Sequence, residues 1–84
     1  MIIGKDLVEF VNILYEKLGG KNSKFAPNFE NIIDGPSSIP VTEWYGDVYW
    51  TLKTLLKEKA IKDQDMLKKS EEITSYLSEW FLPY

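Results

Sequence analysis

Leu7, Phe10, Val11, Leu14 and Leu18 recur at the spacing that one face of an α-helix requires. Glu9, Asn12 and Glu16 fall on the opposite side. Asp6-x-x-Glu9 is an aspartate form of the capping box, with carboxylates placed where free helical N–H groups point. Gly19-Gly20 supplies a left-handed stop. The pattern predicts a first helix over about 6–18.

A second stripe begins at Thr42, an expected N-cap, with Glu43 in the first turn. At about 100° per residue from Trp44, the side chains of Trp44, Tyr45, Val48, Tyr49, Leu52, Leu55 and Leu56 share an arc of about 140°. Trp50 points almost opposite the centre of that arc, among Asp47, Lys53, Thr54 and Lys57. Gly46 weakens the early turns by about 1 kcal/mol relative to alanine and is expected to admit a closely approaching backbone. This helix is predicted over about 42–60. A third, over about 63–82, starts at Asp63 as cap. It carries Met66, Ile73, Leu77, Trp80 and Phe81 inward with Tyr76 at the flank, and Pro83 ends it. The short connection between the second and third helices predicts an antiparallel pair.

Residues 19–41 break the periodicity with glycines and prolines, yet they hold Phe25, Phe29, Ile32, Ile33 and Ile39 as apolar anchors. Long loops in compact domains are uncommon unless they are functional or locally structured. The expectation is a structured excursion packed over the core. It would contain a short helix begun by Pro27 and ended at Asp34-Gly35, with Phe29, Ile32 and Ile33 on one face. No internal repeat and no strand-period run beyond the marginal Met1-Ile2-Ile3 competes. The predicted fold class is all-α: a small bundle of three main helices with this excursion, in a single domain spanning 1–84.

Composition narrows the function classes. There is no cysteine, so disulfides and thiolate metal sites are excluded, and an intracellular, cytoplasmic home is expected for so small a chain. There is no histidine either. No signal-peptide core follows Met1, and no apolar run approaches the roughly 18–20 residues a membrane span needs, so a soluble chain is expected. The net charge is −3, and residues 1–20, 21–43 and 44–84 each contribute −1. All ten basic residues are lysine. The arginine fork that reads guanine or clamps phosphate is therefore missing, and no nucleic-acid partner is expected. Lysine without arginine, together with many Asn and Ile, is the usage of an AT-rich genome and is compatible with a bacterial or phage source.

Catalytic and metal motifs fail on inspection. Without Cys or His, only Ser–Lys or Thr–Lys pairs could supply an activated nucleophile, and no motif supports one. Asp63 and Asp65 read as cap and first-turn charge, and Glu71 and Glu72 diverge on a polar face. The stretch "DQDMLKKSEEIT" misses the calcium-loop pattern at Leu67, Lys68 and Thr74. "GGKNSK" misses the phosphate loop at Asn22 and at Tyr15. No catalytic residue, cofactor or metal ligand is predicted. "EWYGDV", residues 43–48, resembles the Tyr-Tyr-Gly head of a barstar-type inhibitor helix. The likeness covers six residues of 84, and barstar-like proteins also have parallel strands, which this sequence does not offer. No residue is transferred from it.

Two readings of Trp50 follow. In one, the second helix is central, helices one and three lie on one side, and the excursion covers the indole with Phe25 or Phe29. In the other, Trp50 is an exposed anchor rimmed by Asp47, Lys53 and Lys57, the composition of an interface hot spot. Tyr84, off the inner stripe of the third helix, would join the same contact. The expected function is a small non-catalytic protein-binding module, an inhibitor or immunity-type protein that occludes a partner. An acidic chain would be steered fastest to a basic enzyme or toxin. The alternative is a homo-oligomeric structural or accessory subunit, with the wide apolar stripe of the second helix and Trp50 against a symmetry mate.

Overall fold

The structure, a computed structural model, describes residues 5–36 and 40–81, the side chains of Trp80 and Phe81 excepted. Four α-helices follow in order: α1 Lys5–Lys17, α2 Ala26–Phe29, α3 Val41–Lys57 and α4 Gln64–Phe81. A 3-10 turn at Gly20–Asn22 lies between α1 and α2. Among the described residues there is no strand, and the all-α expectation holds.

Each long helix is amphipathic, and the described apolar positions of its expected stripe are buried or half-buried; the side chains of Trp80 and Phe81, expected inward on α4, fall outside the described ones. Leu7, Phe10, Val11 and Leu14 of α1 meet Phe29 and Ile32 of the excursion. Trp44, Val48, Leu52 and Leu55 of α3, with Ile73 and Leu77 of α4, complete the same core. α3 and α4 form a hairpin whose seam runs between Tyr49 and Lys53 on one side and Glu71, Thr74, Ser75 and Ser78 on the other. Ser70, fully buried on α4, has a hydroxyl with no hydrogen-bond partner among the described residues.

The helix ends differ from expectation for identifiable reasons. α1 begins at Lys5, so Asp6 lies within its first turn and favours the helix dipole there; its cap position falls outside the described residues. It stops where expected, with Gly19 at φ 112 and Gly20 at φ 58. α3 begins one residue early: Pro40, its φ already near helical at −57, is the N-cap, and its carbonyl accepts from Trp44 N–H at 3.0 Å. Thr42 is therefore inside the first turn and is not the cap. α3 also ends at Lys57 and not near 60, because Lys59 turns left-handed at φ 56. Ala60 N–H then bonds to Leu55 O at 3.0 Å and Lys59 N–H to Leu56 O at 3.2 Å, the paired bonds of a Schellman ending. Asp63 does cap α4, as expected: its Oδ1 accepts from the N–H groups of Asp65 at 2.9 Å and Met66 at 3.1 Å. The expected end at 82 and Pro83 lie outside the described residues.

The excursion is structured, though less helical than expected. α2 is a single turn with Pro27 in it; turns carry the chain on to Gly35. Gly35 sits at φ +76, and a Cβ there would come within 3.2 Å of Val8 Cγ2, so both the conformation and the space call for glycine. Phe29 and Ile32 are buried and Ile33 is half-buried. Three side chains from the long helices hold the excursion by its main-chain oxygens. Trp44 Nε1 donates to Ile32 O at 3.1 Å, Thr51 Oγ1 to Asn28 O at 3.1 Å and Asn12 Nδ2 to Ile33 O at 2.6 Å. Asn12 is thus a clip between α1 and the excursion, not a solvent-facing residue as its place on the polar side of α1 suggested.

Candidate functional site

Where the excursion docks decides which face of α3 is left open. At about 100° per residue, Thr51 lies about 20° beyond Trp44, outside the apolar arc and away from Tyr49. The excursion grips that edge through Thr51 and Trp44. α4 takes the opposite edge, at Tyr49. The back of the helix is covered by neither, and Trp50 is 54% exposed there. The arrangement in which Phe25 or Phe29 covers Trp50 is therefore not adopted. Phe29 is fully buried beneath Tyr15, with ring centroids 5.3 Å apart, and Phe25 is half-buried with Lys24 Nζ 5.2 Å from its ring.

Trp50 is held from behind. Its ring stands edge-on to Tyr49, centroids 5.2 Å apart at 75°, and Tyr49 is itself buried. Lys53 Nζ lies 5.9 Å from the Tyr49 ring centroid. Lys53, Tyr49 and Trp50 thus form a cation–aromatic–aromatic row that limits the rotamers of the exposed indole. The one-turn spacing of Trp50, Lys53, Thr54 and Lys57 opens a groove of about 560 Å³ beside the indole, walled further by Leu56 and by Thr74 of α4. Thr54 spends its hydroxyl on the helix, donating to Trp50 O at 2.9 Å.

Of the residues expected to bind a partner, Trp50, Lys53 and Lys57 are exposed on this face and Asp47 is half-buried one turn before Trp50. Tyr84 lies outside the described residues. Glu43, exposed in the first turn of α3, points the same way; the sequence places it only as a first-turn charge. The two ion pairs among the described residues are elsewhere, Lys17–Asp63 at 3.6 Å and Lys24–Glu58 at 3.9 Å. A Cβ added at Gly46 would meet nothing within 4 Å among the described residues. No described backbone approaches there, where a close approach was expected.

Electrostatically, the resolved perturbation is at Asp63, away from this face. The N–H of Met66 is the main cause of its lowered pKa, opposed by desolvation and assisted by the N–H of Asp65 and by Lys17. That is the signature of a helix cap. A smaller hollow of about 230 Å³, lined by Leu14, Leu18, Ala60, Ile61 and Met66, lies beside the Lys17–Asp63 pair. Among the described residues, no group of three or more acidic side chains is placed to hold a metal ion. Nor, among them, is any helix long and apolar enough to cross a membrane. No family model, curated protein or solved structure matches the chain.

Proposed function

We propose that this chain is a protein-binding module whose contact surface is the outer face of α3, centred on Trp50. In this reading it acts by occupying and blocking a protein partner, as an inhibitor or immunity-type protein of bacterial or phage origin working in the cytoplasm. One observation carries the proposal: a tryptophan, buttressed by a buried tyrosine, stands 54% exposed between two neighbouring structural layers that both leave it uncovered. A rigid aromatic anchor beside a groove and inside a charged rim is the usual centre of binding energy in a protein interface. The chain's overall charge of −3 would favour encounter with a basic enzyme or toxin.

The test compares the wild type with Trp50→Ala as immobilised baits in extracts of the source cell. The expected result is a partner retained by the wild type and lost with the variant, at nearly equal melting temperatures. Retention of the same proteins by both baits would refute the role of Trp50. So would a Trp50→Ala variant that no longer folds, because the indole would then be a structural element.

A further inference from the structure

The order of charges along the exposed face of α3 has a symmetry about Trp50. Glu43 and Asp47 precede it by seven and three residues; Lys53 and Lys57 follow it by three and seven. With a rise of about 1.5 Å per residue, Asp47 and Lys53 lie about 4.5 Å to either side of Trp50 along the axis, and Glu43 and Lys57 about 10.5 Å. Around the axis, Glu43 and Lys57 lie about 20° to opposite sides of Trp50, and Asp47 and Lys53 about 60°. Position and angle are therefore both reversed together with sign.

Along α3 taken alone this arrangement is unfavourable. Glu43–Asp47 and Lys53–Lys57 are like-charge pairs one turn apart, which weaken a helix. Among the described residues, none of these four forms an ion pair. The helix dipole accounts for Glu43 in the first turn and Lys57 in the last, but Asp47 and Lys53 lie beyond the reach of either end.

We infer that a second copy of this chain occupies the face, with the two α3 helices antiparallel about a twofold axis at Trp50. The inference rests on the reading of this face as the contact surface and names its occupant when no other partner is present. The twofold sets Trp50 beside Trp50 of the other copy. It brings Lys57 level with Glu43 close to the seam. It brings Lys53 level with Asp47 on the opposite flank of the indole pair, within reach of the lysine stem once it leaves the Tyr49 ring. Each repulsive pair then gains opposite charges across an interface of the self-complementary kind that twofold dimers require. Because the pairs are at the surface, salt weakens them.

Sedimentation equilibrium of the full chain, in low and in high salt, tests the pairing. The wild type is expected to dimerise, with affinity falling as salt rises. The variants Glu43→Lys/Asp47→Lys and Lys53→Glu/Lys57→Glu should each self-associate at least about tenfold more weakly. An equimolar mixture of the two should form a one-to-one heterodimer. A wild type that stays monomeric overturns the pairing and leaves the Trp50 contact reading to its own bait experiment. Self-association of the variants equal to that of the wild type, or a mixture that stays monomeric, also overturns it. Should a variant misfold by circular dichroism, the wild type still decides: concentration-dependent dimerisation that salt does not weaken overturns the pairing.

Discussion

Replacing Trp44 and Trp50 separately by phenylalanine contrasts two indoles on one helix. Trp44 is 1% exposed, and its Nε1–H is the partner of Ile32 O at 3.1 Å in a buried setting. Phenylalanine there removes one of two donors to that carbonyl, which keeps the N–H of Gly35 at 3.2 Å, so the cost is that of a single hydrogen bond, about 0.5–1.5 kcal/mol. The smaller ring also leaves a gap of roughly 40 Å³, worth about 1 kcal/mol at ~24 cal/mol per Å³. The sum is about 1.5–2.5 kcal/mol, which for a domain of this size lowers Tm by roughly 6–20 °C. Trp50 makes no side-chain hydrogen bond among the described residues, and phenylalanine keeps the edge-on contact with Tyr49. Its replacement should cost within about 0.5 kcal/mol. Thermal and urea unfolding followed by helical circular dichroism measure both. Equal losses at the two positions, or a Trp44→Phe loss below about 0.5 kcal/mol, would refute the assignment of one indole to the core and the other to the surface.

Ser70→Ala should stabilise the protein by about 0.5–2 kcal/mol, since it removes a buried hydroxyl without a partner and gains helix propensity; a drop in the urea midpoint contradicts this. Gly46→Ala meets no described residue within 4 Å of the added Cβ and should add up to about 1 kcal/mol, read in the same assay. Asp63 stabilises as the anion, and its folded pKa is lowered, so its contribution is full above the unfolded value and is lost as pH falls through the folded one. Acid titration of Tm below about pH 4 should therefore be shallower for Asp63→Asn, which can cap but does not ionise, than for the wild type.

The three long helices were legible because each buries a continuous apolar stripe and is bounded by recognisable end chemistry, Gly19-Gly20 and Asp63 above all. The excursion was legible as an apolar, folded stretch with a short helix at Pro27, but not in how it is attached. Its attachments run from Asn12, Trp44 and Thr51 to main-chain oxygens, and carbonyl acceptors leave no trace in residue identity. Thr51 illustrates the loss: a threonine about 20° past the edge of an apolar arc reads as boundary, yet it is 5% exposed and bonded to Asn28 O. Ser70 and Thr74 were likewise unassigned, since small polar residues at a close helix crossing carry no hydrophobic signal. The outward direction of Trp50 followed from helical geometry alone. Whether anything lay over it depended on where the excursion docked, which periodicity does not encode. Tyr84, expected to join that contact, falls outside the described residues.

The mode of that attachment also governs how the molecule tolerates mutation. Asn12, Trp44 and Thr51 grip peptide oxygens at 28, 32 and 33, atoms that every amino acid supplies. The exposed side chain of Asn28 is free to be exchanged without loosening the grip, whereas the three donors are not. Genetic drift would thus be permitted at the exposed gripped position and forbidden at the three donors, so a library randomised at 28 should yield many folded clones and one randomised at 12, 44 and 51 few.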